Sequence, residues 1–453
     1  MKDPLIDKYN VPGPRYTSYP TVPYWQPEFF SVKKWMNEVE SRTKADPAIS
    51  LYIHLPFCEK LCTFCGCHKR ITVRHEVEDP YIAYLLREWQ QYHSVITREI
   101  TISELHLGGG TPTFFSPTNL AALLDGLFQQ PGVNLPDRPR YSFEGHPNNT
   151  TKQHLETLYQ YGFRRVSFGV QDYNERIQKA INRIQPYDHV QQVTMDARAA
   201  GYESVGHDLI FGLPFQTLAD IRRNIKYTQR LMPERIAFYS YAHVPWIKGT
   251  GQRGFDASDL PPANLKRDMY EYGKEQLQGL GYEEIGFDHF ALPGDALSAA
   301  SRKGTLHRNF MGYTEVNSTN MIGLGVSAIS DMGSSFAQNE KNVERYYELL
   351  DAGKSTVTKG HHLDHRDQVI RRHLLNLTCR LETSWNEDDM KFDVLPEVLD
   401  RLEEPLKDNL IQISNNTLSV TDRGRPFIRN ICMAFDLHLH QNQPENRIFS
   451  MTV

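Results

Sequence analysis

Residues 52–72 read YIHLPFCEKLCTFCGCHKRIT and place four of the six cysteines, Cys58, Cys62, Cys65 and Cys67, within ten residues. A β-prone run thus feeds a loop far too rich in thiols for ordinary packing. The opening residues MKDPLIDKYN contain no apolar export leader, so a reducing, cytoplasmic setting is expected and clustered cysteines there bind metal or do chemistry more often than they pair. Zinc fits the spacing poorly, because structural zinc sites draw two ligand pairs from separate points of the chain.

Iron and sulfur fit better. A short loop leaving a strand can wrap three corners of a four-iron cluster when its cysteines stand as CxxxCxxC, the spacing of Cys58, Cys62 and Cys65. Three thiolates on four irons leave one iron open, and an open coordination position separates catalytic from structural metal sites. Cys67 bears on this, since a fourth thiolate would close the cluster and leave only electron transfer.

CxxxCxxC after a strand resembles the signature of the radical S-adenosylmethionine superfamily, in which the open iron chelates the amino and carboxylate groups of S-adenosylmethionine. The longer run HLPFCEKLCTFCGC resembles the oxygen-independent coproporphyrinogen III oxidase family. That resemblance implies one [4Fe-4S] cluster held by Cys58, Cys62 and Cys65, with Cys67 outside the ligand set. It also implies two bound molecules of S-adenosylmethionine.

Outward from the loop, β-rich runs alternate with helical patterns. Strands are expected at SLYIHL from Ser50, ISELHLG from Ile102, RYSFEGH from Arg140, RRVSFGVQ from Arg164, SVGHDLIFG from Ser204 and RIAFYSY from Arg235. Segments from Pro80, Thr118, Asp188 and Thr217 show apolar residues near a 3.6 period. Six strand–helix units predict an α/β fold with a parallel sheet. Periodicity leaves a doubly wound sheet and an incomplete barrel open, and the resemblance selects a partial (β/α)6 barrel. The division expected is an arm and lead-in helix over 1–47, a catalytic barrel over 48–359 and a mostly helical domain over 360–453.

In either architecture chemistry belongs at the carboxyl ends of the strands. GGGTP, residues 108–112, follows the second strand, and its glycines would let backbone amides approach a ligand. Glu144, Gln171 and Asp208 end or punctuate the third, fourth and fifth strands, where buried polar groups need partners. The resemblance implies that Tyr52, Phe64, Gly109, Gly110, Thr111, Glu144, Gln171, Arg183, Asp208, Ala242 and Ile329 contact S-adenosylmethionine. His146, in EGHP, departs from the family pattern, which often has an apolar residue and an acid before that proline.

The remaining chain adds context. NVPGPRYTSYPTVPYWQP, residues 10–27, has too many prolines for a helix and too many aromatics for a disordered tail. It is expected to be an extended arm, either a packing strap or, as PRYTSYP resembles, a segment near the active-site mouth. GLGVSAIS, residues 323–330, lacks the second half of a dinucleotide fingerprint. HHLDH, residues 361–365, sits among polar residues and is expected on a surface loop. Cys379 and Cys432 fall on apolar helix faces and read as packing. A net charge of -5 argues against a nucleic-acid binder, and no run of about 18 apolar residues is present to span a membrane.

The resemblance implies oxidative decarboxylation of two propionates of coproporphyrinogen III to vinyl groups in haem biosynthesis. It also implies a reducing donor such as flavodoxin or ferredoxin, and a monomer. Four substrate carboxylates call for cations, with Arg308, Lys69, Arg70 and Arg74 as candidates. A haem-binding chaperone and a radical haem methyltransferase or ring-opening enzyme of the same superfamily are the alternatives.

Overall fold

The computed structural model describes residues 4–247, 250–317, 319–386, 394–442 and 448–452. Six strands, β1 (Ala48–Leu55), β2 (Ile100–Gly109), β3 (Arg140–Gly145), β4 (Phe163–Gln171), β5 (Ser204–Phe211) and β6 (Arg235–Ser240), lie side by side in chain order, all parallel. They coincide with the six expected runs. β1 is buried along nearly its whole length, as a parallel strand covered on both faces must be.

Helices Glu78–Val95, Pro117–Phe128, Lys152–Gln160, Tyr187–Ala200 and Leu218–Leu231 make the crossovers. Their starts are set locally: Ser116 accepts from the Asn119 amide, and Thr151 with His154, like Thr217 with Asp220, forms a reciprocal cap. Sequential strand order with crossovers of one hand curls the sheet into a barrel wall. The wall stays open. The free side of β1 pairs with parallel Met321–Leu324, and that of β6 with antiparallel His289–Ala291. Strands Ile329–Asp331, Ser335–Asn339 and Val357–His362 extend the sheet beyond β1.

Polar side chains plug the end where the strands begin. Ser50 and Thr314 both donate to Glu104, at 2.9 and 2.7 Å, and Arg235 holds Asp295 at 2.8 Å while Ser204 donates to the same carboxylate. The opposite end, where the strands finish, is left for ligands.

Beyond the sheet, helices His365–Arg380, Val394–Lys407 and Ile428–Phe435 pack with a small antiparallel sheet. Its hairpin turns at Asn415 and Asn416, both at positive φ, the conformation a two-residue turn requires and asparagine tolerates. The apolar core of this region includes Leu5, Tyr9, Tyr16 and Tyr19 of the N-terminal segment, and Trp25 is buried against Phe336 and Leu363. The arm is therefore a packing strap over most of its length. Among the described residues no helix is long and apolar enough to cross a membrane.

HHLDH is not a surface loop. His361 lies in the strand Val357–His362, Asp367 in the first turn of the next helix, and both are buried. Asp367 accepts from His361 at 2.9 Å and from His438 at 2.7 Å, fastening the sheet to the C-terminal helices. Since the Gln26 amide donates to His361 Nδ1, the proton on Nε2 is committed to the carboxylate.

One buried carboxylate pins the turn after Met321–Leu324. Glu88, fully buried, accepts from the Gly325 amide at 2.7 Å, Tyr346 at 2.6 Å, Thr356 at 2.7 Å and Asn339 at 2.6 Å. Burial nevertheless raises it to about 7 against those four bonds. Glu88→Leu would orphan all four donors and is expected to destabilise the protein by about 3 kcal/mol. Glu88→Gln, still able to accept, should lose clearly less. Urea unfolding midpoints of the two variants check this, and equal midpoints would remove Glu88 as the organiser of that turn.

Candidate functional site

The cysteine loop leaves β1 through Pro56 and returns beside it. The amides of Arg70 and Thr72 donate to the Pro56 and Cys58 carbonyls at 2.8 and 3.0 Å. Its middle is anchored by distant segments. Thr63 donates through its amide and hydroxyl to the Ile181 and Ala180 carbonyls, Asn182 donates to the Leu61 carbonyl, and the Gly251 amide to that of Cys65. Gln252 spans 2.7 Å to the Ala242 carbonyl and 3.2 Å to that of Phe64, so those two residues, far apart in sequence, share one side chain.

Cys58, Cys62 and Cys65 are half-buried free thiols lining one cavity with Phe64, Lys69, Gly110, Thr111, His146 and Arg183. Arg183 reaches Cys62 Sγ at 3.7 Å and Thr111 lies 3.3 Å from Cys58 Sγ. Cys67 does not line that cavity and is exposed, its amide donating to Cys65 Sγ at 3.4 Å.

The glycine run acts differently from the expectation. The amides of Gly110 and Thr111 donate to the Leu55 and Phe57 carbonyls at 2.9 and 3.0 Å, so they bind the cysteine loop rather than remain free for a ligand. A Cβ on Gly110 would stand 2.5 Å from the Pro56 carbonyl, and Gly109, at φ +112°, packs against the His54 ring. Close approach is the reason for glycine here, and the partner is the protein's own backbone.

The strand-end residues face a common interior. Tyr52 of β1 stacks on His106 of β2 and lies 3.0 Å from His54 Nδ1. His54 Nε2 meets the His68 carbonyl at 3.0 Å and so bears the ring proton, while burial drives His54 down to about 4. His106 contacts Glu144 at 3.5 Å. Burial alone would raise Glu144, but His106 and the Gly109 amide hold it below its usual range. Asp208 accepts from Ser167 at 2.8 Å and is lifted to about 6 by burial, partly offset by that bond and reinforced by the nearby Glu144 charge. Gln171, at φ +68°, crowds Gly169 together with Arg183, whose guanidinium donates to the Gly169 carbonyl. Ile329 packs with Trp25, Phe336 and Leu363 in a cluster that Phe310 joins to the Tyr52 ring.

A second cavity, about 250 Å³, opens beyond β5 and β6. Its wall includes Phe211, Tyr239, Tyr270, Phe287 and Phe310 together with Arg15, Lys266, Arg308 and Arg429. It meets the strand-end residues: Phe310 contacts the Tyr52 ring, and Tyr239, 3.3 Å from His289, feels the Asp208 charge. The four cations bond to backbone carbonyls: Arg15 to Ser240, Lys266 to Tyr241, Arg308 to Tyr16, and Arg429 to Gly13, Pro14 and Met451. Among the described residues none of the four forms an ion pair within 4.0 Å. Of these, sequence reasoning singled out Arg308 alone. Arg15 lay within a motif read for its prolines and aromatics, and Lys266 and Arg429 sit in ordinary helical stretches with no local signal.

Comparison with known proteins follows the same lines. A family model of the radical SAM superfamily matches residues 52–228. The oxygen-independent coproporphyrinogen III oxidase of Pseudomonas aeruginosa is 37% identical over 440 residues, covering 96% of this chain and 95% of that protein. That of Escherichia coli is 38% identical over 446 residues with 96% and 95% covered. A solved structure of the Escherichia coli coproporphyrinogen III oxidase, described as a radical SAM enzyme, matches with a TM-score of 0.89 at 35% identity over 97% of this chain and 99% of that one. Agreement along the whole length, together with three free thiols on one cavity at the mouth of an open six-stranded barrel, establishes that the chain belongs to the oxygen-independent coproporphyrinogen III oxidase family of radical S-adenosylmethionine enzymes.

Proposed function

We propose that this protein converts two propionate side chains of coproporphyrinogen III to vinyl groups, giving protoporphyrinogen IX, with one [4Fe-4S] cluster and S-adenosylmethionine. The observation that carries the substrate reading is the second cavity, where aromatic walls surround four cations that form no ion pair within 4.0 Å among the described residues and outnumber the lining acid Asp288. A macrocycle bearing four carboxylates needs that combination: apolar faces for its rings and guanidinium or ammonium groups for its rim.

The residues present fit the cluster. Three free thiols share one cavity, and Arg183 leaves a buried Nε without a partner beside Cys62, a place suited to an anionic group. Cys58, Cys62 and Cys65 would hold the cluster. Gly109, Gly110 and Thr111 shape the loop around it, while Tyr52, Phe64, Glu144, Gln171, Arg183, Asp208, Ala242 and Ile329 are assigned to S-adenosylmethionine. When bound, the reduced cluster and S-adenosylmethionine supply a carbon-centred radical able to take a hydrogen atom from a propionate β-carbon. Each propionate then gives up carbon dioxide and one electron.

The chain's own part is placement and dryness. Arg15, Lys266, Arg308 and Arg429 orient the carboxylates, and the aromatic wall holds the rings against the edge nearest Asp208. Thr17 of the arm, Ile428 and Thr452 complete the wall around the cavity, excluding water from the radical. We place the enzyme in the cytoplasm as a monomer, reduced by a flavodoxin or ferredoxin. Lys60, Lys69 and Arg74 around the cysteine loop suit an acidic donor.

Anaerobic incubation with coproporphyrinogen III, dithionite and S-adenosylmethionine should yield two successive losses of a formic-acid equivalent by mass spectrometry. Unchanged porphyrin from cluster-loaded protein would defeat the proposal. Cys58→Ala, Cys62→Ala and Cys65→Ala should each abolish the iron–sulfur absorbance of reconstituted protein, whereas Cys67→Ala should retain most of it.

Lys266 gives a pH test. Burial, then the charges of Arg15 and Arg429, lower it to about 7. Its ammonium form, present below that value and lost above it, attracts carboxylates. Affinity for coproporphyrin III, read by fluorescence, should therefore fall as pH rises through about 7. Lys266→Met should weaken binding by about tenfold at pH 6 and flatten that dependence, with iron content unchanged.

A further inference from the structure

His146 follows β3 directly and lines the thiol cavity with Cys58, Cys62, Cys65, Lys60 and Arg183. The Asn148 amide donates to its Nδ1 at 3.1 Å, so that nitrogen keeps its lone pair and the ring proton sits on Nε2. With Nδ1 accepting from that amide and the proton on Nε2, the imidazole is neutral. Among the described residues no protein group accepts from Nε2–H within hydrogen-bond reach. A neutral N–H donor thus faces the cavity assigned to the cluster and the nucleotide, with its proton unspent.

The surroundings decide what it meets. A donor cannot serve the amino group's own N–H bonds, and the wall it shares with Arg183 and Lys60 is positive, which selects an anionic acceptor. A further full cation on that wall, beside Lys60, Lys69 and Arg183, would also repel the sulfonium of S-adenosylmethionine, whereas an imidazole N–H adds a bond without adding charge. We propose that His146 binds S-adenosylmethionine directly, its Nε2–H donating to the carboxylate of the methionine moiety beside Arg183. This rests on the cofactor assignment and not on the porphyrin, so its test involves no porphyrin turnover.

The experiment compares His146→Leu, which removes the donor, with His146→Gln, which keeps an N–H donor on a side chain of similar reach. Both are reconstituted anaerobically and assayed for iron, and titrated with S-adenosylmethionine by equilibrium dialysis and by the paramagnetic resonance spectrum of the reduced cluster. With iron content equal to the parent, His146→Leu is expected to bind S-adenosylmethionine about tenfold more weakly. His146→Gln should stay within about threefold of the parent. Decarboxylated S-adenosylmethionine, which lacks the acceptor, should bind the parent and His146→Leu equally. Equal affinity of parent and His146→Leu for the intact cofactor overturns the proposal. So does a spectral change in the cofactor-free reduced cluster with affinity unchanged, which would put the donor on the cluster itself. Should His146→Leu lose its cluster, His146→Met replaces it under the same criteria, and failure of both to hold iron where His146→Gln succeeds would assign His146 to cluster assembly and overturn it as well.

Discussion

The site depends on one backbone contact, the junction where the exits of β1 and β2 touch. The Gly110 and Thr111 amides are spent on the Leu55 and Phe57 carbonyls, and a Cβ at Gly110 would strike Pro56. The separation between Thr111 and Cys58 is set by these main-chain hydrogen bonds, with the Thr111 hydroxyl 3.3 Å from Cys58 Sγ. The first cysteine takes its position from that junction, as does His54, wedged beneath Gly109 and joined to both Tyr52 and His68, while the turn carrying the other two is held by the segments around Ile181 and Gly251. A rigid seam of this sort suits a site whose chemistry tolerates little displacement of the reacting groups.

The barrel was legible because its strands are buried on both faces and separated by amphipathic helices, a pattern that local residue order records. The six expected runs all became adjacent parallel strands. The cysteine loop was legible from spacing. Contacts between remote segments were not: Gln252 tying Phe64 to Ala242, or Arg183 approaching Cys62 across 121 positions. Nothing local distinguishes such residues from surface glutamines and arginines. HHLDH was misread for the opposite reason. Its polarity suggested a loop, yet His361 and Asp367 satisfy each other and the strand could bury both. The glycine run was legible as a close approach, and the partner its Gly110 and Thr111 amides meet is the protein's own backbone, while both residues line the thiol cavity.

Positive charge gathers at both cavities. Glu144 and Asp208 lie on β3 and β5, Arg15, Lys266, Arg308 and Arg429 gather around Asp288 beyond β6, and Lys60, Lys69 and Arg183 line the thiol cavity with Glu59. Asp208 lies close enough to Tyr239 for its charge to be felt there. On each cavity wall the cations outnumber the acids, a field that favours carboxylate-bearing ligands in both.

The wall of the basic cavity is built from both ends of the chain. Pro12 pairs with Met451, Arg429 binds the carbonyls of Gly13, Pro14 and Met451, and Arg15 and Thr452 face the same space. During synthesis on the ribosome, the middle of the cysteine loop gains its last described hydrogen-bond partners when Gly251 and Gln252 emerge after β6, but the segment carrying Arg15 has no Arg429 to grip until well over a hundred further residues follow. A nascent chain can therefore reach the stage of binding metal while its substrate chamber has no roof. The chamber is thus closed by contacts between segments 416 positions apart in the chain, so its shape depends on the barrel holding those two segments side by side.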